Sequence, residues 1–257
     1  MFTTLHALVL GIVEGITEFL PISSTGHMIL TAHLLHIPET DFVKSFEIII
    51  QLGAICAVLA LYWKKLLTSA KVFWRVAVAF IPTAIIGLLL YKVVKQYLLG
   101  STTVVLWSLL IGGIALIMFE RYQKGRESRI QDIENISYKQ AFTIGLFQSL
   151  AIVPGVSRSA ATIVGGLLLG ISRSAIVEFS FLLAVPTMAA ATGLDLLKSY
   201  HTLASGSFGL LAVGFVTAFV SAFIAIKFLI SYIQKHTFTP FGVYRVMLAL
   251  VFLTFLI

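Results

Sequence analysis

ALVLGIVEGITEFLPISST, residues 7–25, is matched past the middle of the chain by AFTIGLFQSLAIVPGVSRS, residues 141–159. Laid on one another with a one-residue gap, they pair Gly11 with Gly145, Glu14 with Gln148, Pro21 with Pro154 and Ser24 with Ser157. Each belongs to an apolar run, near 5–20 and 140–152, followed after a proline-containing break by another, near 22–36 and 158–170. These runs are short beside the roughly 20 residues a membrane span needs. Proline lacks an N–H and restrains the residue before it, so it ends the first helix of each pair. Broken backbone at membrane depth is tolerated only where protein buries it or it lines a wet cavity. Both pairs therefore read as re-entrant helical hairpins. Broken helices at matching places in two halves mark a site at the repeat interface.

Working outward, six longer apolar segments, near 46–63, 76–91, 103–119, 178–197, 207–230 and 241–257, can each cross a bilayer. The expected fold is all-α: a polytopic integral membrane protein with about six transmembrane helices plus two re-entrant hairpins in an inverted repeat. Residues 1–257 form one membrane domain, with halves at about 1–119 and 140–257 and a charged loop at about 120–139. That loop, ERYQKGRESRIQDIENISYK, is the most hydrophilic stretch and is expected to be solvated. Only 11% of the 257 residues are charged and 59% are hydrophobic, whereas soluble domains carry about 25% charged residues. Lipid is the solvent for most of this chain.

The net charge of +7 does not point to nucleic acid. The basic residues fall between apolar segments, and Lys64, Lys65, Lys71 and Arg75 together with the central loop suggest the cytoplasmic side. Met1–Gly11 has no basic n-region, and Glu14 and Glu18 interrupt the apolar run beyond it, so the first segment is expected to stay in the mature protein. Cys56, the single cysteine, lies in an apolar run and reads as a small buried hydrophobe.

Chemistry concentrates in two stretches. In EGITEFLPISSTGH, Glu14 and Glu18 are four apart and share a helix face, with Cβ atoms about 6 Å apart. A carboxylate at a helix centre costs about 2.5–3.5 kcal/mol on insertion scales. A shared proton, an arginine or a divalent cation must offset that. Ser23, Ser24 and Thr25 follow Pro21 where a helix begins, as caps or as ligands. His27, three residues beyond Ser24, lies on the same face, and an imidazole beside a hydroxyl can activate a serine nucleophile. The other five histidines have no such partner. In PGVSRSAAT (154–162), a helix start offers free N–H groups to an anion. There the Arg158 guanidinium matches two phosphate oxygens. Glu47 and Glu178 open helices, where the dipole suits an acid. Gly165, Gly166 and Gly170 fit close helix packing.

Brought together, the two breaks suit a substrate that is polyanionic at one end and greasy at the other. Mg²⁺ binds through one or two carboxylates plus substrate phosphates, which fits Glu14 and Glu18 as metal ligands. Arg158, Ser157, Ser159, Thr162, Ser23 and Thr25 are the candidate phosphate-binding groups. Glu18, Ser24, His27 and Arg158 are the candidate catalytic ones, with Ser24, His27 or a water open as the nucleophile.

These stretches, with FEIIIQLGAICAVL and EFSFLLAVPTMAAATGLDLL, resemble the undecaprenyl-diphosphate phosphatases of the bacitracin-resistance type over nearly the whole chain. The resemblance implies hydrolysis of undecaprenyl diphosphate to the monophosphate plus inorganic phosphate, recycling the lipid carrier of cell-wall synthesis and conferring bacitracin resistance. It implies a divalent cation (Mg²⁺ or Ca²⁺), a bacterial plasma-membrane location and a site opening outward. By motif, Glu14 and Glu18 match the acidic pair, Ser24 and His27 the hydroxyl and imidazole, and Arg158 the phosphate-binding arginine. Ser157, Ser159 and Thr162 match supporting hydroxyls. The expected partners are a polyprenyl diphosphate and membrane lipids, with a homodimer left open. The alternative is a prenyl-phosphate transporter or flippase using the same site. A phosphatase of the PAP2 type would need a further His/Asp pair downstream, and no histidine occurs between His36 and His201.

Overall fold

A computed structural model describes residues 2–38, 40–98, 101–125, 128–203 and 208–256. Among these residues there are ten α-helices and no strand, with one isolated bridge between Ile130 and Ile171. The helices are α1 (Thr4–Phe19), α2 (Ser24–Leu34), α3 (Asp41–Thr68), α4 (Ala70–Val93) and α5 (Thr102–Gln123), then α6 (Tyr138–Ser149), α7 (Arg158–Leu168), α8 (Arg173–Leu203), α9 (Phe208–Ile233) and α10 (Thr239–Leu256). Five segments, in α3, α4, α5, α8 and α9, are long and apolar enough to cross a membrane. α10, with 18 residues, is a shorter apolar helix. The protein is an all-α polytopic membrane protein.

Both short helix pairs begin alike. Thr3 caps α1 and Ser137 caps α6, each in a reciprocal capping box with the residue three on, His6 and Gln140. Both ends of the α6–α7 pair lie against one loop. α6 starts from it, and beyond α7 the carbonyl of Gly170 accepts from Arg129 N (2.9 Å) while Ser172 N donates to Ile130 O (2.8 Å). The chain therefore dips in and returns. The other pair behaves likewise at the far end. Ala7 of α1 and Ile37, just past α2, share a core cluster with Val43 and Phe46 of early α3, and Phe2 packs edge-on against Phe46. α3 then runs to the basic corner, where Ser69 bonds Glu134 of the central loop at 2.8 Å and Arg75 bonds the Ile136 carbonyl. The two hairpins enter from opposite ends.

Each hairpin packs on the other half, α1 along α9 and α6 along α4. The repeat-related glycines Gly11 and Gly145 permit this. A Cβ at Gly11 would stand 2.7 Å from Gly214 O, and one at Gly145 would collide with Ala79 O. Gly145→Ala should therefore lower the thermal midpoint in detergent, costing about 1–3 kcal/mol. Gly87→Ala, whose Cβ would meet nothing within 4 Å, should leave it nearly unchanged. Equal losses at both positions would contradict this packing.

Three expectations need correction. The central segment is not all solvated loop: α5 continues to Gln123 and α6 starts at Tyr138. Glu120 is buried in an ion pair with Arg173 and accepts from Phe238 N at 2.9 Å, tying α5 to the starts of α8 and α10. Ile133 and Ile136 are core residues, because apolar side chains in a polar stretch still fold onto the nearest apolar surface. Gly165 and Gly166 do pack tightly, against Phe147 and Ile176, but a Cβ on Gly170 would meet nothing within 4 Å. Gly170 instead has φ +78° just past the α7 C-cap, a conformation that favours glycine. Finally, Glu47 and Glu178 stand more than a turn inside α3 and α8, and Glu178 pairs with Lys65 at 2.8 Å.

Candidate active site

The hairpin tips meet in the middle of the molecule. Ser23 caps α2, accepting from Gly26 N at 3.3 Å, and Ser157 caps α7, accepting from Ala160 N at 3.2 Å. Both serines have positive φ, 73° and 79°. For a residue with a Cβ this backbone costs on the order of 1–3 kcal/mol and persists only where its surroundings enforce it. Matching the hairpins on these caps pairs Ser23 with Ser157 and Ser24 with Arg158, in one register with Glu14 and Gln148. The gap in the sequence alignment disappears, and with it the pairing of Ser24 with Ser157.

Ser24 and Arg158 are thus the first residues of their helices, and both reach Glu18. Arg158 Nη2 donates to Glu18 Oε1 at 2.8 Å, and the Ser24 hydroxyl donates to Glu18 Oε2 in a short bond. The remaining contacts of Arg158 fix its plane. Nη1 donates to Ser180 O at 2.9 Å, and the guanidinium lies 5.7 Å from the Phe19 ring. The Arg158 and Glu18 side chains are only 11% and 8% exposed. These groups face a cavity of about 230 Å³ lined by Glu18, Ser23, Ser24, Thr25, Ser157 and Arg158, with Gln51 and Met188 on its wall.

Four candidate residues, Ser159, Thr162, His27 and Glu14, stand elsewhere. Ser159 and Thr162 do not line the cavity. Ser159 Oγ donates to Leu20 O across the tips at 2.8 Å, and Thr162 Oγ1 lies 2.6 Å from Ser180 Oγ, the residue that receives Arg158. Their hydroxyls are spent on backbone and neighbour because both are fully buried, where an unpaired hydroxyl would be costly. Among the described residues no hydrogen bond joins His27 to Ser24. Its Nδ1 must donate to Ser23 O (2.7 Å), since a carbonyl can only accept, which leaves Nε2 to accept from the Tyr244 hydroxyl (2.7 Å). The expected serine–imidazole hydrogen bond is not formed; the Ser24 hydroxyl bonds Glu18 instead.

Glu14 lies below Glu18, 1% exposed, with Oε1 buried and without a hydrogen-bond partner, and within electrostatic reach of Glu18, Glu47 and Arg158. A buried carboxylate oxygen left unpartnered beside a second carboxylate fits a hard divalent cation. Among the described residues no group of three or more His, Cys, Asp or Glu could hold such an ion. Such an ion would find two protein carboxylates here and would need its other ligands from substrate oxygens or water.

Arg245 and Ser180 escaped the sequence reading. Arg245 carries the signal that marked Arg158, a cation inside an apolar run (TPFGVYRVMLAL), but lies outside both motifs. Ser180 offers no signal; only folding brings it to Arg158.

The sequence profile of the family described as "Bacitracin resistance protein BacA" matches residues 7–251. The chain is 52% identical to the undecaprenyl-diphosphatase of Wolinella succinogenes over 98% of this chain and 97% of that one. It is 50% identical to the undecaprenyl-diphosphatase of Aquifex aeolicus, covering 98% of each. It is 51% identical to that of Bdellovibrio bacteriovorus over 98% of this chain and 95% of the relative. With hairpin tips, arginine and acidic pair all inside the matched span, this chain belongs to the bacitracin resistance protein BacA family.

Proposed function

We propose that the protein hydrolyses undecaprenyl diphosphate, or a similar polyprenyl diphosphate, to the monophosphate and inorganic phosphate. The observation that carries this is Glu18 bridging Arg158 and Ser24 at the mouth of a polar cavity inside an apolar body. The prenyl chain stays in lipid while the head group reaches the tips. Phosphoryl transfer asks chiefly for positioning and charge neutralisation.

In this mechanism a phosphate oxygen competes with Glu18 for Arg158 Nη2, and Ser157, Ser23, Thr25 and the amides at the helix starts offer further donors. Glu18, relieved of its counter-ion, takes the Ser24 proton. Ser24 Oγ then bonds to the terminal phosphorus as the bond to the bridging oxygen breaks, and the prenyl monophosphate leaves with that electron pair. Glu18 passes that proton to the departing monophosphate; water then attacks the phosphoserine, giving a proton to Glu18, and the bond from phosphorus to Ser24 Oγ breaks as Glu18 returns that proton to the serine. A divalent cation, Mg²⁺ or Ca²⁺, would be held by Glu14 and Glu18, and when bound it supplies charge neutralisation on the diphosphate. Thr162 supports Arg158 through Ser180, Ser159 ties the second tip to Leu20 O of the first, and His27 holds the first tip.

The site reads as opening to the outer side of a bacterial plasma membrane. α8 starts at the basic end, where Ser172 meets Ile130. Met188 and Ala191, on the cavity wall, lie about 22–27 Å further along it at 1.5 Å per residue. Positive charge at the near end suits the cytoplasm.

Phosphate release from a C55 diphosphate by purified protein in detergent micelles tests the proposal. Turnover supports it, and a carrier without chemistry would release none. Glu14→Gln should raise the Mg²⁺ concentration for half-maximal activity by at least the roughly tenfold that an outer-shell partner alone costs. The Mg²⁺-dependent rise in thermal midpoint should shrink with it. An unchanged Mg²⁺ response in both would remove Glu14 from the metal site.

A further inference from the structure

Arg245, on α10, is fully buried, and among the described residues its guanidinium binds no carboxylate. It donates instead to four backbone carbonyls: Nη1 to Pro21 O (3.4 Å) and Val156 O (3.0 Å), Nη2 to Ser108 O (3.0 Å) and Gly155 O (2.9 Å). Pro21 lies two residues before Ser23, and Gly155 and Val156 lie just before Ser157. One side chain therefore grips the chain immediately ahead of both strained caps. The neighbouring Tyr244 reaches the first tip separately, through His27 to Ser23 O.

The surroundings are shaped to admit this group. Gly155, at φ +93°, brings its turn so close to α5 that a Cβ would stand 2.7 Å from Val105 O. On α5, Gly112 leaves the space that the Arg245 guanidinium fills, so a Cβ there would collide with Nη2 and lie 2.9 Å from Cζ. Lysine could not replace this group, because a single ammonium has three donors about one point while the guanidinium is a planar fork.

We infer that Arg245 is a positioning residue for the phosphatase reaction: it clamps the two hairpin tips to each other and to α5, and so sets the distance between Ser24 and Arg158. It touches neither substrate nor reacting atoms. A full buried charge spent on carbonyls is expensive unless the geometry it imposes is worth that cost, and the geometry it imposes is that of both positive-φ serines. The inference rests on the reading of Ser24 and Arg158 as reacting groups, since their spacing is what the clamp would set.

The test compares wild type with Gly112→Ala, Arg245→Met, Arg245→Lys and Arg158→Ala, measuring kcat and KM for a C55 diphosphate and the thermal midpoint of each. Gly112→Ala keeps the charge and displaces only the guanidinium. Its kcat per folded molecule should fall by about 10- to 100-fold, the scale of a 1 Å misplacement, with KM within about threefold; the midpoint should fall as well, because the displaced guanidinium stays buried. Arg245→Met should lose at least as much kcat per folded molecule, and Arg245→Lys should not restore it. If Arg245→Met does not fold, Gly112→Ala decides alone. Wild-type kcat in Gly112→Ala, with Arg158→Ala inactive, would overturn the clamp and leave the site standing. Turnover retained in Arg158→Ala would instead overturn the site itself.

Discussion

Arg158→Ala should lower kcat/KM for a C55 diphosphate by about 10²–10⁴-fold. A hydrogen bond to a charged group is worth about 1.5–3 kcal/mol, Arg158 can offer two to a phosphate, and each 1.36 kcal/mol is tenfold in rate. The change also leaves Glu18 without the partner it holds at 2.8 Å, at 8% side-chain exposure. An unpaired buried charge is strongly destabilising, so the thermal midpoint should drop as well. Activity must therefore be taken per folded molecule. Arg158→Lys keeps the charge without the fork and should fall between the two. Alanine at 158 with a rate within tenfold of wild type would mean that the phosphate sits elsewhere.

Ser24→Ala carries the other large effect. In the proposed mechanism Ser24 is the nucleophile, and among the described residues its hydroxyl is bonded to a proton acceptor, Glu18 Oε2. Its removal should cost about 10³-fold or more in kcat, as loss of a nucleophile does elsewhere. KM should change little, since Arg158 and the helix starts remain. Ser23→Ala and Thr25→Ala remove only auxiliary donors and should cost less. Full turnover in Ser24→Ala would transfer the attack to water held by Glu18. The same experiment bears on His27, whose ring nitrogens are occupied by Ser23 O and Tyr244. His27→Gln should therefore lose activity by loosening the first tip, not by removing a base.

Periodicity and length were enough for the hairpins, because a proline after a short apolar run has few outcomes in lipid. Glu14, Glu18 and Arg158 were legible for a related reason: a charge in such a run is expensive and must answer to something nearby. Spacing alone misled at His27. Three residues apart on a helix puts two side chains on one face, but Ser24 is the first residue of α2 and turns to Glu18 across the break. The same limit governed Ser159 and Thr162. Their motif stands at the cavity, which Pro154, Gly155, Ser157 and Arg158 line, but the next turn is fixed by Leu20 and Ser180. The positive φ of Ser23 and Ser157 left no trace in residue type, since glycine is what that backbone favours. Glu120 was assigned to solvent because its neighbours are charged, while the partner that buries it, Arg173, lies far along the chain. Tertiary contacts over that separation have no local signature.

One measurement goes to the centre of the account: a double-mutant cycle on kcat/KM with Glu18→Gln, Arg158→Lys and the pair. Residues that share a site do not combine additively, whereas those more than about 7–10 Å apart usually do. If the two tips grip one diphosphate, the paired loss should fall short of the product of the single losses by about tenfold or more, a coupling of about 1.4 kcal/mol. Losses that simply multiply, to within about twofold, would mean that Glu18 and Arg158 act apart, and no common pocket between the hairpins could then be maintained.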